Sequence, residues 1–286
     1  MPTAKSTEIR ALVSLLGDED PKIYAMVRDQ VMRLGSEAKE LLLEAIEAKE
    51  ARLRLRARHL LSRIQLDETE ETLAEMANQE DKDFDLEAGL VAIARLEQPN
   101  LSAAEIGGPL DDIAERIRPL LPGAKPGPEQ IAIINRVLFQ DLRFVGNPHE
   151  LYEFDSLLLH RVLERRTGVP LSLVSVYLLI TRRLGLPFRG IGLPSHFLAV
   201  WGSGTEEVFI DPYLGGKLLT RGDCVHYLTG AGFYYKDAYI NEATSRELVI
   251  RTLRHLMVIY SKYQDRLRET RLVKFVDILQ TRERAR

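Results

Sequence analysis

Two residues of this chain, His196 and Asp211, have the types and spacing to do chemistry together. His196 opens the segment His196-Phe-Leu-Ala-Val-Trp201 and Asp211 closes Val208-Phe-Ile-Asp211, with Gly202-Ser-Gly-Thr205 between them. Both segments alternate as antiparallel strands do, and the glycines between them mark a turn. A two-residue turn at Ser203-Gly204 sets Gly202 opposite Thr205, Leu198 opposite Phe209 and His196 opposite Asp211. Directly opposed residues share a face with Cβ atoms about 4.5–5.5 Å apart, near enough for a carboxylate to hold an imidazole. A carboxylate on one ring nitrogen fixes the tautomer and aims the other nitrogen, which supplies two parts of a nucleophile, base and orienter set. The same pair also occurs as a structural element at strand ends. A register change of one residue would put the two side chains on opposite faces.

The missing part is the nucleophile. Val169 to Leu184 is apolar at helical spacing through Leu173, Val174, Val176, Tyr177, Ile180 and Leu184, and Gly185 with Pro187 is a stop signal. Pro170 suits the first turn of that helix, where a missing N–H costs nothing. The nearest hydroxyl is Ser172. A helix N-terminus favours developing negative charge there, but two residues is about 200° of rotation, so Ser172 need not face His196. Cys224, the one cysteine, follows the aspartate in Thr-Arg-Gly-Asp-Cys-Val-His-Tyr-Leu and reads as a structural thiol near a helix start at Gly222-Asp223. Upstream of His196, Phe188-Arg-Gly-Ile-Gly-Leu193 is a further strand, joined to it by Pro194-Ser195.

Leu159 to Trp201, LHRVLERRTGVPLSLVSVYLLITRRLGLPFRGIGLPSHFLAVW, followed by FIDPYLGG, resembles the SirB-type transglutaminase-like proteins of bacteria, a core also found in a eukaryotic F-box protein. VLFQDLRFVGNPHELYEFDSLLLHRVLERR continues the match, which covers roughly Leu110 to Gly216. The resemblance implies an α+β, papain/transglutaminase-like core: a helix that carries the nucleophile at its N-terminus in catalytic relatives, packed with other helices on a small antiparallel sheet that supplies histidine and then aspartate. His196 and Asp211 match the last two positions, and Pro170 falls where the cysteine would be. Pro170, Ser195 and Tyr213 line the cleft in that frame.

No other chemistry is signalled. The remaining histidines, His59, His149, His160, His226 and His255, show no metal-ligand spacing, and no glycine-rich phosphate loop is present, so no metal and no cofactor is expected. A net charge of −3 offers no global attraction to nucleic acid or an anionic membrane. Arg52, Arg54, Arg56, Arg58 and Arg63 make a basic stretch, but spacing by two spreads them around a helix and no aromatic platform accompanies them. A solvated, salt-bridged helix is the reading, and nucleic-acid binding is disfavoured. A lone cysteine, no signal-peptide pattern and no apolar run of membrane length point to a cytoplasmic protein.

The 286 residues have room for more than one domain. Residues 1–105 read as an all-α, HEAT-like helical domain with a faint repeat at an offset of thirty, Val27-Arg28, Val31 and Leu34 against Ala57-Arg58, Leu61 and Ile64. An irregular helical bundle explains the same pattern. Asp20-Pro21 and Ser36 mark helix starts, and Gly35 a stop. Turn formers at Asn100 to Pro109 suggest the boundary to a core domain, 106–240. A helical tail, 241–286, carries the stripe Leu253, Leu256, Tyr260, Tyr263, Leu267 on one long helix or two. Two functions fit: an interaction or regulatory module with a vestigial His-Asp cleft and a protein or peptide partner, a pseudoenzyme; or a hydrolase or acyl transferase on amides or esters, with His196 as general base, Asp211 as orienter and Ser172 or water as nucleophile.

Overall fold

A computed structural model describes residues 4–281 of the chain. The fold is α+β, and it divides into two compact units, Met1–Thr72 and Leu73–Arg286.

The first unit is helical: α1 (Ala4–Ser14), α2 (Pro21–Leu34), α3 (Lys39–Ala45) and most of α4 (Ala51–Ala77). Asp20 caps α2 by accepting from the Lys22 N–H at 2.8 Å, Pro21 takes the first helical position, and Gly35 ends the helix at a positive φ of 53°. Val27 and Val31 of α2 and Ala57, Leu61 and Ile64 of α4 share one core with Leu16, Leu42 and Leu60. The arginines at the start of α4 depart from the expected solvated face. Arg54 donates to the carbonyls of Ala48 and Lys49, and Arg56 donates to those of Leu16 and Asp18 while lying 3.9 Å from the Tyr24 ring centre. Arg52 also reaches the Gly17 carbonyl at 3.5 Å, so three of the five close loop carbonyls.

The second unit continues with α5 (Leu86–Ala94), α6 (Ala104–Ile117), α7 (Pro128–Asn135), a π-helical turn (Arg136–Asp141), β1 (Val145–Gly146), α8 (Phe154–Leu157), α9 (Leu159–Arg165), β2 (Thr167–Gly168) and α10 (Pro170–Arg183). Then come β3 (Phe188–Leu193), β4 (His196–Trp201), β5 (Val208–Asp211), β6 (Lys217–Leu219), α11 (Arg221–Gly230), β7 (Glu242–Ala243), α12 (Ser245–Lys262) and α13 (Arg266–Gln280). β1 and β2 form a short parallel ladder, and the other strands an antiparallel sheet in the order β6-β5-β4-β3-β7. α10 lies against the face bearing Gly190, where a Cβ would meet Leu178 at 3.2 Å. The opposite face carries Ile191, Leu193, Leu198, Val200 and Phe209 and is covered by Cys224 and Leu228 of α11.

The division after Thr72 lies ahead of the turn-rich stretch at Asn100 to Pro109, and the reason is packing within the second unit. α5 packs on α12, and the Tyr260 hydroxyl of α12 donates to Glu97 at 2.6 Å. Pro109 is inside α6. The C-terminal helices are likewise part of this unit: Leu253, Leu256 and Tyr260 are buried, whereas Tyr263 and Leu267 are exposed because the chain turns at Gln264, φ 59°, between α12 and α13.

Arg246, on the first turn of α12, is the largest fully buried side chain. Its Nε donates to Asp81 Oδ1 at 2.7 Å and its Nη2 to the Gln79 carbonyl at 2.7 Å, and the guanidinium lies 4.7 Å from the Phe84 ring centre. The loop after α4 is thus held by one side chain whose charge is paired and whose donors are used. Arg246→Ala should cost about 3 kcal/mol, because it strands Asp81 and the Gln79 carbonyl. Arg246→Lys should not restore the loss, since an ammonium cannot span the same acceptors. Urea midpoints at constant m-value provide the check.

Candidate functional site

The dyad forms by a different route from the one a tight turn would give. β4 and β5 pair as Ala199 with Ile210, Val200 with Phe209 and Trp201 with Val208. That register is displaced by two residues from the expected one, because Gly202 to Glu207 form the connection, with a 3-10 turn at Gly204–Glu206 and positive φ at both glycines. A shift of two preserves the face, so His196 and Asp211 become diagonal neighbours and still point the same way. His196 Nε2 lies 2.7 Å from Asp211 Oδ2. The other carboxylate oxygen accepts the N–H groups of Tyr213 and Leu214 at 3.0 and 3.1 Å, capping the turn Pro212–Leu214. Asp211 is 2% exposed, so every one of these bonds is made away from water.

His196 begins β4 after the turn Pro194-Ser195, in which Ser195 is exposed and has φ of 62°. Proline followed by a positive φ is the type II pattern, and serine there is less comfortable than glycine. The imidazole is walled by Tyr213, edge-on at 5.9 Å between ring centres, and by Tyr227, tilted at 5.4 Å. Burial first, and then the Asp211 charge, pushes both phenols above their ordinary range, so they remain hydroxyl donors. Among the described residues the Nδ1 of His196 has no hydrogen-bond partner, and 11% of the side chain is exposed. That nitrogen is the one available to a ligand.

Ser172 is not part of this cluster. It sits third in α10, is 4% exposed, donates its hydroxyl proton to the Ser156 carbonyl at 2.7 Å and accepts the Val169 N–H at 3.1 Å. Ser172 and Val169 form half of a capping box, since Val169 has no side-chain acceptor to return. Pro170 occupies the first helical position. By strand alternation, α10 covers the Gly190 face, and His196 and Asp211 belong to the face covered by α11. The structure brings together His196, Asp211 and Tyr213, and leaves Ser172 bonded to backbone. Cys224, one turn before Tyr227, is 1% exposed, and burial pushes its thiol up to about 11. Its helix starts at Arg221, where Thr220 and Asp223 make a capping box.

Two contributors are absent from the sequence reading. Tyr227 lies one helical turn after Cys224, and nothing in its local sequence marks it as a neighbour of His196. Gly146 carries no sequence signal: a Cβ there would lie 2.5 Å from the Tyr213 ring and 2.6 Å from its carbonyl oxygen, so β1 presses directly on the wall of the site. Gly146→Ala should displace Tyr213, shift the His196 imidazole resonances and destabilise the fold by about 1–3 kcal/mol. Gly108→Ala, with nothing within 4 Å, is the control that should do neither.

Among the described residues no group of three or more His, Cys, Asp or Glu side chains is placed to hold a metal ion, and no helix is long and apolar enough to cross a membrane. The half-buried His160 and His255 lie outside the site. Desolvation lowers both imidazoles, helped at His160 by Arg161 and partly offset at His255 by its bond to the Leu151 carbonyl. A folded value below the unfolded one favours the neutral ring, so stability is full above the ordinary imidazole range, near 6.5, and falls as pH drops below it. Urea midpoints at pH 7.5 and 5.5 should show this loss, and His160→Gln should reduce it.

Residues 104–254 match the family model described as the transglutaminase-like superfamily. The chain is 41% identical over 105 residues to F-box only protein 21 of Mus musculus, which covers 34% of this chain and only 17% of that protein. It is 31% identical over 192 residues to a UPF0162 protein of Xylella fastidiosa, covering 65% of this chain and 68% of that one. A UPF0162 protein of Vibrio cholerae is 30% identical over 97 residues, 33% of this chain and 35% of its own length. No solved structure matches.

Proposed function

The chain belongs to the transglutaminase-like superfamily, and from that premise we propose that it is an interaction module whose His196–Asp211 cleft binds a carboxamide or peptide group without turning it over. The observation that carries this is the start of α10. By the resemblance, the position of the nucleophile falls on Pro170, which opens the helix, and the nearest hydroxyl, Ser172, donates to the Ser156 carbonyl. A nucleophile must sit within hydrogen-bond reach of its base, and Ser172 makes its bonds elsewhere.

The reading places the protein in the SirB-type branch on its Gly-Val-Pro-Leu-Ser-Leu and His-Phe-Leu motifs, as a pseudoenzyme acting in the cytoplasm on a protein or peptide partner. The helices of the first unit, taken as HEAT-like, add binding surface. A comparable stretch occupying 17% of F-box only protein 21 supports treating the core as a transferable module. The two tyrosine hydroxyls and the free Nδ1 around His196 supply the donors and acceptor that a neutral amide needs.

A panel of aryl esters and glutaminyl anilides should show no turnover above that of His196→Ala. N-acetylglutamine amide should shift the His196 imidazole resonances saturably in the wild type and not in Asp211→Asn. Turnover abolished by His196→Ala would overturn the proposal in favour of hydrolysis by an activated water, and so would the absence of any saturable shift. Ser172→Ala should lower stability by about 1–2 kcal/mol through its lost cap while leaving the shift intact.

A further inference from the structure

A cleft in the larger unit, apart from His196, has the composition of an anion site. It lies between α6, the segment after the π-helical turn, and the end of α9, with a volume of about 370 Å³. That is the size of a small-ligand pocket. Its floor is apolar, built from Ile113, Leu142, Phe144 and Leu163, of which the last three are buried. Pro109, two guanidiniums, Arg116 and Arg166, and one carboxylate, Asp112, complete the lining.

The arginines are not neutralised. Among the described residues neither makes an ion pair, and Asp112 makes none either, although it lies one turn before Arg116 on α6. Arg166 donates once, from Nη1 to the Leu142 carbonyl at 3.2 Å. That bond fixes the guanidinium beside the cleft and leaves most of its five donors unused.

Backbone geometry adds a second, independent observation. Arg166 ends α9 in the left-handed region, φ 57°, the position where glycine is the ordinary choice. Arg143, between the floor residues Leu142 and Phe144, is also left-handed, φ 61°. Arginine carries a cost at such positions, and non-glycine residues held there gather at functional sites. The π-helical turn Arg136–Asp141 that leads into the cleft is a further irregularity of the kind found at such sites.

We infer that this cleft binds a carboxylate attached to a branched or aromatic apolar group, with the carboxylate on Arg116 and Arg166 and the apolar part on Leu142, Phe144 and Leu163. A fork of guanidinium donors matches a carboxylate, and the uneven count of two cations to one anion selects a negative ligand. The apolar floor rejects inorganic anions, which bring nothing to bury. Two sources present this chemistry, a small apolar acid and the free carboxyl terminus of a peptide ending in such a residue.

The test is calorimetric titration of the full chain carrying His196→Ala, which removes the proposed carboxamide site, with N-acetyl-L-leucine and with its amide, followed by a pentapeptide ending in leucine as the free acid and as the amide. The acids should bind saturably and the amides about tenfold more weakly or not at all, the loss expected when a charge-assisted pair is removed. Arg166→Gly removes the guanidinium at a site where the backbone suits glycine, and it should weaken the acid about tenfold with folding retained. Arg116→Ala should do the same, and Tyr234→Ala, at a side chain 90% exposed and outside both places, should change nothing. Tighter binding of the pentapeptide acid than of N-acetyl-L-leucine identifies a chain terminus as the source, and the reverse order identifies a small acid. Equal affinity for acid and amide, no binding of either acid, or unchanged affinity in both arginine variants would overturn the assignment.

Discussion

The larger unit is organised around one buried carboxylate. Asp211 cannot be left unpaired at 2% exposure, because an unsatisfied carboxylate in a poorly solvated place costs several kcal/mol. Its two oxygens meet that demand in different ways. Oδ1 takes two backbone N–H groups and thereby fixes the Pro212–Leu214 turn, which carries Tyr213. Oδ2 takes His196 and thereby fixes the first residue of β4. The Asp211 backbone carbonyl also accepts the Gly216 N–H at 2.8 Å, so the chain folds back at once to pair β6. One residue therefore sets the end of the sheet, the turn that carries Tyr213 and the orientation of the imidazole.

The start of α10 is closed by a separate set of bonds. The Ser156 carbonyl receives both the Ser172 hydroxyl and the Val169 N–H, which ties α8 to the helix that crosses the other face of the sheet. Gly168 is part of the same closure, since a Cβ there would lie 2.6 Å from the Ser172 hydroxyl oxygen. With its hydroxyl bonded to the Ser156 carbonyl and the Val169 N–H, this serine closes the first turn of α10. The two polar clusters thus make separate sets of hydrogen bonds.

Local order was legible where local rules decide it. The limits of β3, β4 and β5 follow from alternation bounded by Pro194-Ser195 and the glycines at 202 and 204, and Asp20-Pro21 and Gly35 mark the ends of α2. The register of β4 on β5 was not legible, because Ser203-Gly204 has the composition of a two-residue turn while the connection actually runs from Gly202 to Glu207. The face of His196 survived that error only because the displacement was two residues. Arg246 gave no sign in the sequence, since an arginine beside a capping box reads as surface until Asp81 and the Gln79 carbonyl are brought to it across more than 160 positions. Tyr227 and Gly146 were missed for the same reason: their importance lies in what the tertiary fold sets against them.

Net charge says little about either cleft, because each is governed by which charges have partners. Around His196 the negative charge of Asp211 is already shared between an imidazole and two amides, and the neighbouring phenols stay protonated. A second carboxylate entering there would meet a like charge at short range in a low-dielectric place, whereas a neutral group with its own N–H and C=O would find donors and a free nitrogen. Between α6 and α9 the balance is reversed, with two unpaired guanidiniums against one carboxylate over an apolar floor. β1 and β2 connect the two places: the Val145 N–H donates to the Arg166 carbonyl, and the next residue, Gly146, presses on Tyr213.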